Sequence, residues 1–289
     1  TCALPIYTLV NIENSSFEQA HKELVFQGRN VFHTYAAAFF MQNKVLNKFV
    51  KPEMCIINGS GPDETMIGTE KIPVETLIEM NKLSRNDWVK YAVNARDYLK
   101  IPESESEALL NDSGTGFIGR RLEFAEELSE QCESFVDFQR KYHSMLILQD
   151  HICELNQVAT TMNRPIFFPF LTNDIFKIVF GATFQELNLN NVYKAAIKNI
   201  LLKYMEPEFV HRQKIGFQSP SRKYFMSQDG FGQEIRKLLA VSRSSVFSMQ
   251  KVRDAVQVRL SEDFSSTKRY DFVEWAVFNL LRLESQNER

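Results

Sequence analysis

The run Met54-Cys55-Ile56-Ile57-Asn58 is short, apolar and free of polar alternation, and it leads directly into Gly59-Ser60-Gly61-Pro62-Asp63-Glu64. A strand with one wet face alternates, so an unbroken apolar run of this length predicts a strand covered on both faces, as in a parallel sheet. Open parallel sheets take their ligands beyond the carboxyl ends of the strands, and a glycine-rich, acidic loop in that place is the first candidate site. This junction commits the chain to an α/β core. Upstream, the β-branched stretch Tyr7-Thr8-Leu9-Val10-Asn11-Ile12 predicts a further strand. Asn14-Ser15-Ser16 offers caps to a helix over 17–24, and another helix is expected over 33–49.

Beyond Glu70 the pattern turns helical. Helices are expected over 74–83, 86–99, 103–111, 120–132, 135–162 (with a break inside it), 192–205, 221–228, 231–239, 250–260 and 270–283. In Val192-Tyr193-Lys194-Ala195-Ala196-Ile197-Lys198 the apolar residues recur at three-and-four spacing with lysines opposite. Pro165, Pro169 and Pro207 mark turns, and Pro220 before Ser221 fits a helix start. The organisation expected is a small α/β part over 7–70 followed by a helical lobe over 71–289. The 24 Phe are expected to fill helix–helix contacts, where a buried ring removes a large apolar area from water.

Charge excludes several function classes. The 34 basic and 36 acidic residues nearly cancel and neither sign forms a run, whereas nucleic-acid binders show a basic excess. No apolar stretch reaches the roughly 20 residues needed to span a bilayer, and no secretory pattern opens the chain, so no membrane partner and a cytoplasmic location are expected. Cys2, Cys55, Cys132 and Cys153 form no CxxC pattern, and His21, His33, His143, His151 and His211 lack HExxH spacing. Gly114-Thr115-Gly116-Phe117-Ile118-Gly119 satisfies GxGxxG, but the acidic, helix-like residues before it supply no strand, and an inter-helix loop is expected there.

Three stretches, in order, resemble the asparagine synthetase family. Ile57-Asn58-Gly59-Ser60-Gly61-Pro62-Asp63-Glu64 resembles its strand followed by S-G-x-G-x-D-E. Asn156-Gln157 through Pro169-Phe170-Leu171 resembles its helix and turn ending in P-F-L-D. Arg212-Gln213-Lys214-Ile215-Gly216-Phe217 with Pro220 resembles R-x-K-x-G-F and its following proline. Trp275-Ala276-Val277-Phe278-Asn279-Leu280 is similar to its terminal helix. The likeness spans about Tyr7 to Glu284.

The resemblance implies an α/β fold, a truncated parallel-sheet ATP-pyrophosphatase core with a large helical lobe and mostly α overall. It also implies ATP-dependent amide formation: a carboxylate attacks the α-phosphorus of ATP, and an amine, often ammonia from an N-terminal glutaminase domain, displaces AMP from the acyl-adenylate. ATP and Mg²⁺ are then expected, with Asp63 at the Mg²⁺–pyrophosphate position. Gly59, Ser60, Gly61 and Glu64 belong to the nucleotide loop implied by the likeness. Lys214 is implied as the cation at the adenylation transition state with Arg212 nearby, and Asp150 as the carboxylate steadying that lysine, with Glu154 as its rival.

Departures from the pattern weigh on the substrate pocket. The family's leading Ser is Asn58, the position between the glycines (often acidic or Tyr) is Ser60, and Thr69-Glu70 replaces Gly-Tyr. Before Pro169 the family's Glu and Arg correspond to Pro165 and Phe167, and the Asp after Leu171 is Thr172. Aspartate is therefore not assumed as substrate. No Ser-Gly-Gly-x-Asp-Ser occurs in the sequence; in the family that loop would lie upstream of Tyr7. Thr1–Ile6 reads as a non-native leader, because one reverse translation of it resembles a sequencing-adapter end. The chain alone is accordingly expected to lack synthetase activity. The alternatives are a natural-product amide or macrolactam synthetase, and a noncatalytic nucleotide-binding or scaffold paralogue.

Overall fold

The computed structural model of the chain describes residues 19–24, 39–44, 47, 51, 53–66, 74–94, 109–189, 192–212, 230–259, 277–282 and 284. These residues are mostly helical and include one two-stranded parallel sheet. Strand β1 (Ile56–Ile57) leads to α1 (Pro62–Thr65), α2 (Val74–Met80), α3 (Arg85–Asn94), α4 (Asp112–Glu130) and α5 (Phe135–Tyr142). A π-helix (His143–Ile147) joins α5 to α6 (Leu148–Thr161), which is followed by β2 (Ile166–Phe167) and a 3₁₀ turn (Pro169–Leu171). Then come α7 (Asn173–Gly181), α8 (Phe184–Leu187), α9 (Ala195–Leu201), α10 (Pro207–Val210), α11 (Gly230–Val241) and α12 (Met249–Arg259). Residues 19–24, 39–44 and 277–282 are also helical. The expected strand over 7–12, the leader 1–6 and the expected helix over 221–228 lie outside the described residues.

β1 pairs with β2 in parallel, Ile56 opposite Ile166 and Ile57 opposite Phe167. The Ile56 N–H donates to the Pro165 carbonyl and the Asn58 N–H to the Phe167 carbonyl, both at 2.9 Å. Parallel neighbours require a long crossover, and here it runs from α1 through α6. The sheet therefore joins a strand before residue 70 to one well beyond it, in a stretch that Pro165 and Pro169 mark as turn. The expected double cover of β1 is not observed: Ile57 is 74% exposed and its register partner Phe167 47%. Only Ile56 is half-buried in β1, so the missing alternation marks apolar composition rather than burial.

What delivers the chain to β2 is a helix stop close to the expected end at residue 162, made by Asn163 ahead of Pro165. Asn163 takes φ 52 after the last turn of α6. Its N–H donates to the Thr160 carbonyl, and the Arg164 N–H reaches the Ala159 carbonyl, both at 2.9 Å. These are the two bonds of a Schellman motif, with Asn accepting the left-handed position that bulkier residues resist. Arg164 then ties the strand entry down through the Asn47 side chain (2.6 Å) and the Met54 carbonyl (3.4 Å).

Helices α2 to α5 enclose an aromatic core of Leu77, Trp88, Ala92, Leu128, Phe135, Phe138 and Tyr142. Tyr91 meets Phe135 edge-on with centroids 5.3 Å apart, and the Trp88 indole N–H donates to the Met80 carbonyl at 2.7 Å. The buried rings thus have partners for their polar edges, and phenylalanine does fill helix–helix contacts here. A second cluster gathers Leu24, Phe40, Val158, Ile235, Val252, Phe278 and Leu281, bringing the helical stretch 277–282 onto α6, α11 and α12.

Two expectations are corrected by this arrangement. The Gly114–Gly119 stretch is not an inter-helix loop, because α4 starts at Asp112 and runs through it. From Gly116 onward the backbone N–H groups are committed to the helix ladder, and among the described residues no strand feeds this stretch, so it does not form the strand-to-helix loop that wraps a pyrophosphate. The expected break in 135–162 is a π-turn in a continuous run, with the Gln139 amide donating to His143 Nε2 at 2.8 Å across the junction.

Candidate functional site

The glycine-rich loop leaves β1 at its carboxyl end and is pinned on every side. The Ser60 N–H donates to Asn58 Oδ1 at 2.9 Å, an Asx turn that starts the reversal. Gly61 takes φ 118, a conformation open only to glycine. Thr65 then returns both its N–H (3.0 Å) and its hydroxyl (2.9 Å) to the Gly61 carbonyl, closing α1.

Gly61 also lets the first and second motifs meet. A Cβ on Gly61 would lie 2.4 Å from Leu171 Cδ2 of the 3₁₀ turn, whereas a Cβ on Gly59 would meet nothing within 4 Å. Gly59 therefore keeps open space beside its backbone, and Gly61 is glycine because Leu171 and a positive φ demand it. We expect Gly61→Ala to lower stability by roughly 2–4 kcal/mol, the sum of backbone strain and overpacking. Urea unfolding checks this: adding Leu171→Ala should recover the overpacking share alone, and an unchanged midpoint in Gly61→Ala would contradict the account.

Asp63 lies half-buried on α1, and its carboxylate forms an ion pair with Lys194. The sequence reading missed that lysine. Lys194 sits in the left-handed region (φ 56, ψ 37) immediately before α9, with its N–H held by Asn188 Oδ1 at 2.9 Å. A lysine in that conformation is uncommon and costs of order 1 kcal/mol, so the surroundings must hold it there. Helical phase gave no warning, because Lys194 stands outside the helix whose periodicity it was read with.

Ser60 presents its hydroxyl to a second unforeseen partner. Ser60 Oγ lies 2.8 Å from His151 Nε2 on α6. Burial holds the His151 pKa down at about 4, so the imidazole is uncharged at neutral pH. A signal for His151 was available: Glu154, Leu155, Val158 and Ala159, three, four, seven and eight residues on, are all buried, which puts His151 at the head of the inward stripe. Asp150 belongs to α6, one residue before His151, and its side chain lies outside the described residues. Its rival Glu154 is buried at 3% exposure.

Arg140 braces this loop from below. Its Nε donates to the Thr65 carbonyl at 2.9 Å and its Nη1 to the Ala182 carbonyl at 3.3 Å, while Nη2 donates to the Val179 carbonyl. The carbonyl at the end of α1 is thereby tied to carbonyls at the end of α7, and the guanidinium lies 5.0 Å from the Phe180 ring centroid.

Of the third motif, Arg212 is exposed with its guanidinium 4.7 Å from the Phe209 ring centroid. Lys214, Ile215, Gly216, Phe217 and Pro220 lie outside the described residues. The structure thus brings together Ser60, Gly61, Asp63 and the Pro169–Leu171 turn, adds His151 and Lys194, and leaves Arg212 on Phe209. Among the described residues, no three or more His, Cys, Asp or Glu side chains are placed to hold a metal ion, and no helix is long and apolar enough to cross a membrane.

The family model described as Asparagine synthase matches residues 8–281. The chain belongs to the asparagine synthase family. That match takes in the β1 loop, the turn at Pro169–Leu171 and the Arg212 stretch in one span, so the contact of Gly61 with Leu171 lies wholly inside the asparagine synthase region. The family is one of ATP-using carbon–nitrogen ligases. No curated protein and no solved structure matches this chain.

Proposed function

We propose that this protein is the synthetase part of an ATP-dependent amide-forming enzyme. In this reading a substrate carboxylate is activated as an acyl-adenylate with release of pyrophosphate, and a nitrogen nucleophile then displaces AMP. ATP is a co-substrate. The observation that supports the reading best is the Asp63–Lys194 pair, set on a glycine-pinned loop at the end of a parallel strand. Adenylation builds negative charge on phosphoryl oxygens, which calls for cations fixed beforehand and a carboxylate to hold magnesium.

The donor set fits a magnesium ion that arrives with the nucleotide. Asp63 and Glu64 offer half-buried carboxylates on one turn, and magnesium in nucleotide sites takes one or two carboxylates together with phosphates and water. When bound, it neutralises phosphate charge. Asp63 would hold it, Gly59 would leave room beside its backbone for the phosphates, and Lys194 would add a cation beside Asp63. Lys214 supplies the cation of the adenylation step, with Arg212 near it and Asp150 steadying it. The carboxylate is not specified, and the nitrogen source is ammonia or an amine, with an N-terminal glutaminase domain as the expected supplier.

The test is acid-dependent exchange of labelled pyrophosphate into ATP, with a panel of carboxylic acids that includes aspartate. A protein carrying the Ser-Gly-Gly-x-Asp-Ser loop upstream of these residues is expected to exchange, and the 289-residue chain alone is not. Exchange with no acid in the panel by the loop-bearing protein would favour a noncatalytic paralogue.

A further inference from the structure

We propose that Asn188 is a positioning residue: its side chain holds Lys194 in the left-handed conformation that carries the ammonium to Asp63, and so sets how tightly the nucleotide binds; this rests on the amide-forming reading above. Asn188 is buried at 4% exposure, and both ends of its amide are engaged. Its Oδ1 accepts the Lys194 N–H at 2.9 Å, and its Nδ2 donates to the Phe184 carbonyl at 3.3 Å. The Asn188 N–H reaches the same carbonyl at 3.0 Å. These partners fix the sense of the amide, since turning it over would set donor against donor and acceptor against acceptor.

The backbone of Lys194 needs that hold. At φ 56 and ψ 37 a side chain with a Cβ is strained, by an amount comparable with what one hydrogen bond contributes. The right-handed alternative lies close by. Lys194 stands immediately before α9, and its carbonyl already accepts the Lys198 N–H at 3.0 Å, so relaxation to a φ of about −63° would extend the helix by one residue. That relaxation re-aims the Cα–Cβ bond and takes the ammonium away from Asp63. The Asn188 bond to the Lys194 N–H therefore selects between two backbone states, of which the observed one forms the ion pair.

The two charges are mounted on one frame. Arg140 ties the Thr65 carbonyl, two residues after Asp63, to the Ala182 carbonyl just before α8. Phe184 at the start of α8 belongs to the aromatic core of α2 to α5. Leu187 at its end clusters with Met66, which follows α1, and with Val179 of α7. Helix α8 is thus fixed to the parts that carry Asp63, and Asn188 is the link from that frame to Lys194. The asparagine acts on the nucleotide through the lysine and touches no substrate itself.

The test uses a protein that carries the Ser-Gly-Gly-x-Asp-Ser loop upstream of these residues. It reads the KM for ATP in acid-dependent pyrophosphate exchange and, by calorimetry with magnesium, the Kd of α,β-methylene ATP. Asn188→Ala is expected to raise both about tenfold while kcat stays within about threefold, the effect of one lost hydrogen bond. Glycine adopts the left-handed conformation freely, so Lys194→Gly removes the ammonium without altering the backbone. In that background Asn188→Ala should change the Kd less than about twofold, because the group it positions is gone. Asn188→Ser, too short to reach the Lys194 N–H, gives the same comparison if the alanine variant does not fold. An unchanged Kd, or an equal loss with and without the lysine, would overturn the role of Asn188. Absence of exchange with every acid in the unmutated protein removes the synthetase reading, and the Kd comparison then still decides for or against Asn188; absence of nucleotide binding removes both.

Discussion

Asp63→Asn is expected to cut acid-dependent pyrophosphate exchange about 100- to 1,000-fold in a protein that carries the Ser-Gly-Gly-x-Asp-Ser loop upstream of these residues. The amide keeps the shape of the carboxylate and loses its charge, so the proposed magnesium site would lose a ligand and Lys194 loses its counter-charge. Losing one preorganised group at a site of developing charge typically costs about 3–4 kcal/mol of barrier. Stability should barely change. Asp63 and Lys194 both keep a quarter or so of their side-chain surface in solvent, and pairs this exposed contribute about 0–1 kcal/mol. A urea midpoint close to that of the unmutated protein, beside a collapsed exchange rate, is the expected signature. Exchange within threefold of the starting protein would remove Asp63 from the reaction.

Arg140→Ala should do the opposite, unfolding the site without touching a substrate. Its guanidinium answers the carbonyls of Thr65, Ala182 and Val179 from a buried position. Hydrogen bonds from a charged donor contribute about 1.5–3 kcal/mol each, and the carbonyls left behind are then short of partners. A loss of roughly 3–5 kcal/mol in urea or thermal unfolding follows, a large share of a typical domain's stability. Arg140→Lys should recover less than half of it, because a compact ammonium cannot fan out to three carbonyls as a planar guanidinium does. Full recovery by lysine would show that charge alone, and not the fork, holds α1 against α7.

The parts of the fold that could be read from the sequence are those carried by local pattern. The apolar run ending at Asn58 declared β1, and the helical pattern declared the start of α3 and both ends of α11 and α12 to within two residues. β2 could not be read, since Ile166–Phe167 is two residues long between Pro165 and Pro169 and is a strand only because β1 pairs with it. Burial of β1 was misjudged for a related reason: a run of apolar residues reports what a strand is made of, and neighbours decide what covers it.

The candidate site divides in the same way. Asp63 and the two glycines were visible because a loop motif is contiguous. Lys194 and His151 were not, because each acquires its role from a contact across more than 90 residues of sequence. Lys194 also leaves the helical conformation just where its periodicity was being counted. Where the glycines are concerned, the loop motif was recognised but its physics was shared differently: Gly59 is open, and Gly61 answers to Leu171.

The π-turn at His143–Ile147 sets the phase of everything after it. A π-turn accommodates one residue more than an α-turn, and each residue of an α-helix advances the face by about 100°. Were that extra residue deleted, α6 would continue from α5 as plain α-helix, with its downstream faces turned by about that angle. His151 would leave Ser60, and Leu155 and Val158 would swing from the core toward a different side. The turn packs against α1 itself. A single residue of slack in one helix is therefore what keys the histidine to the loop, much as the offset of one tooth decides which way a ratchet engages.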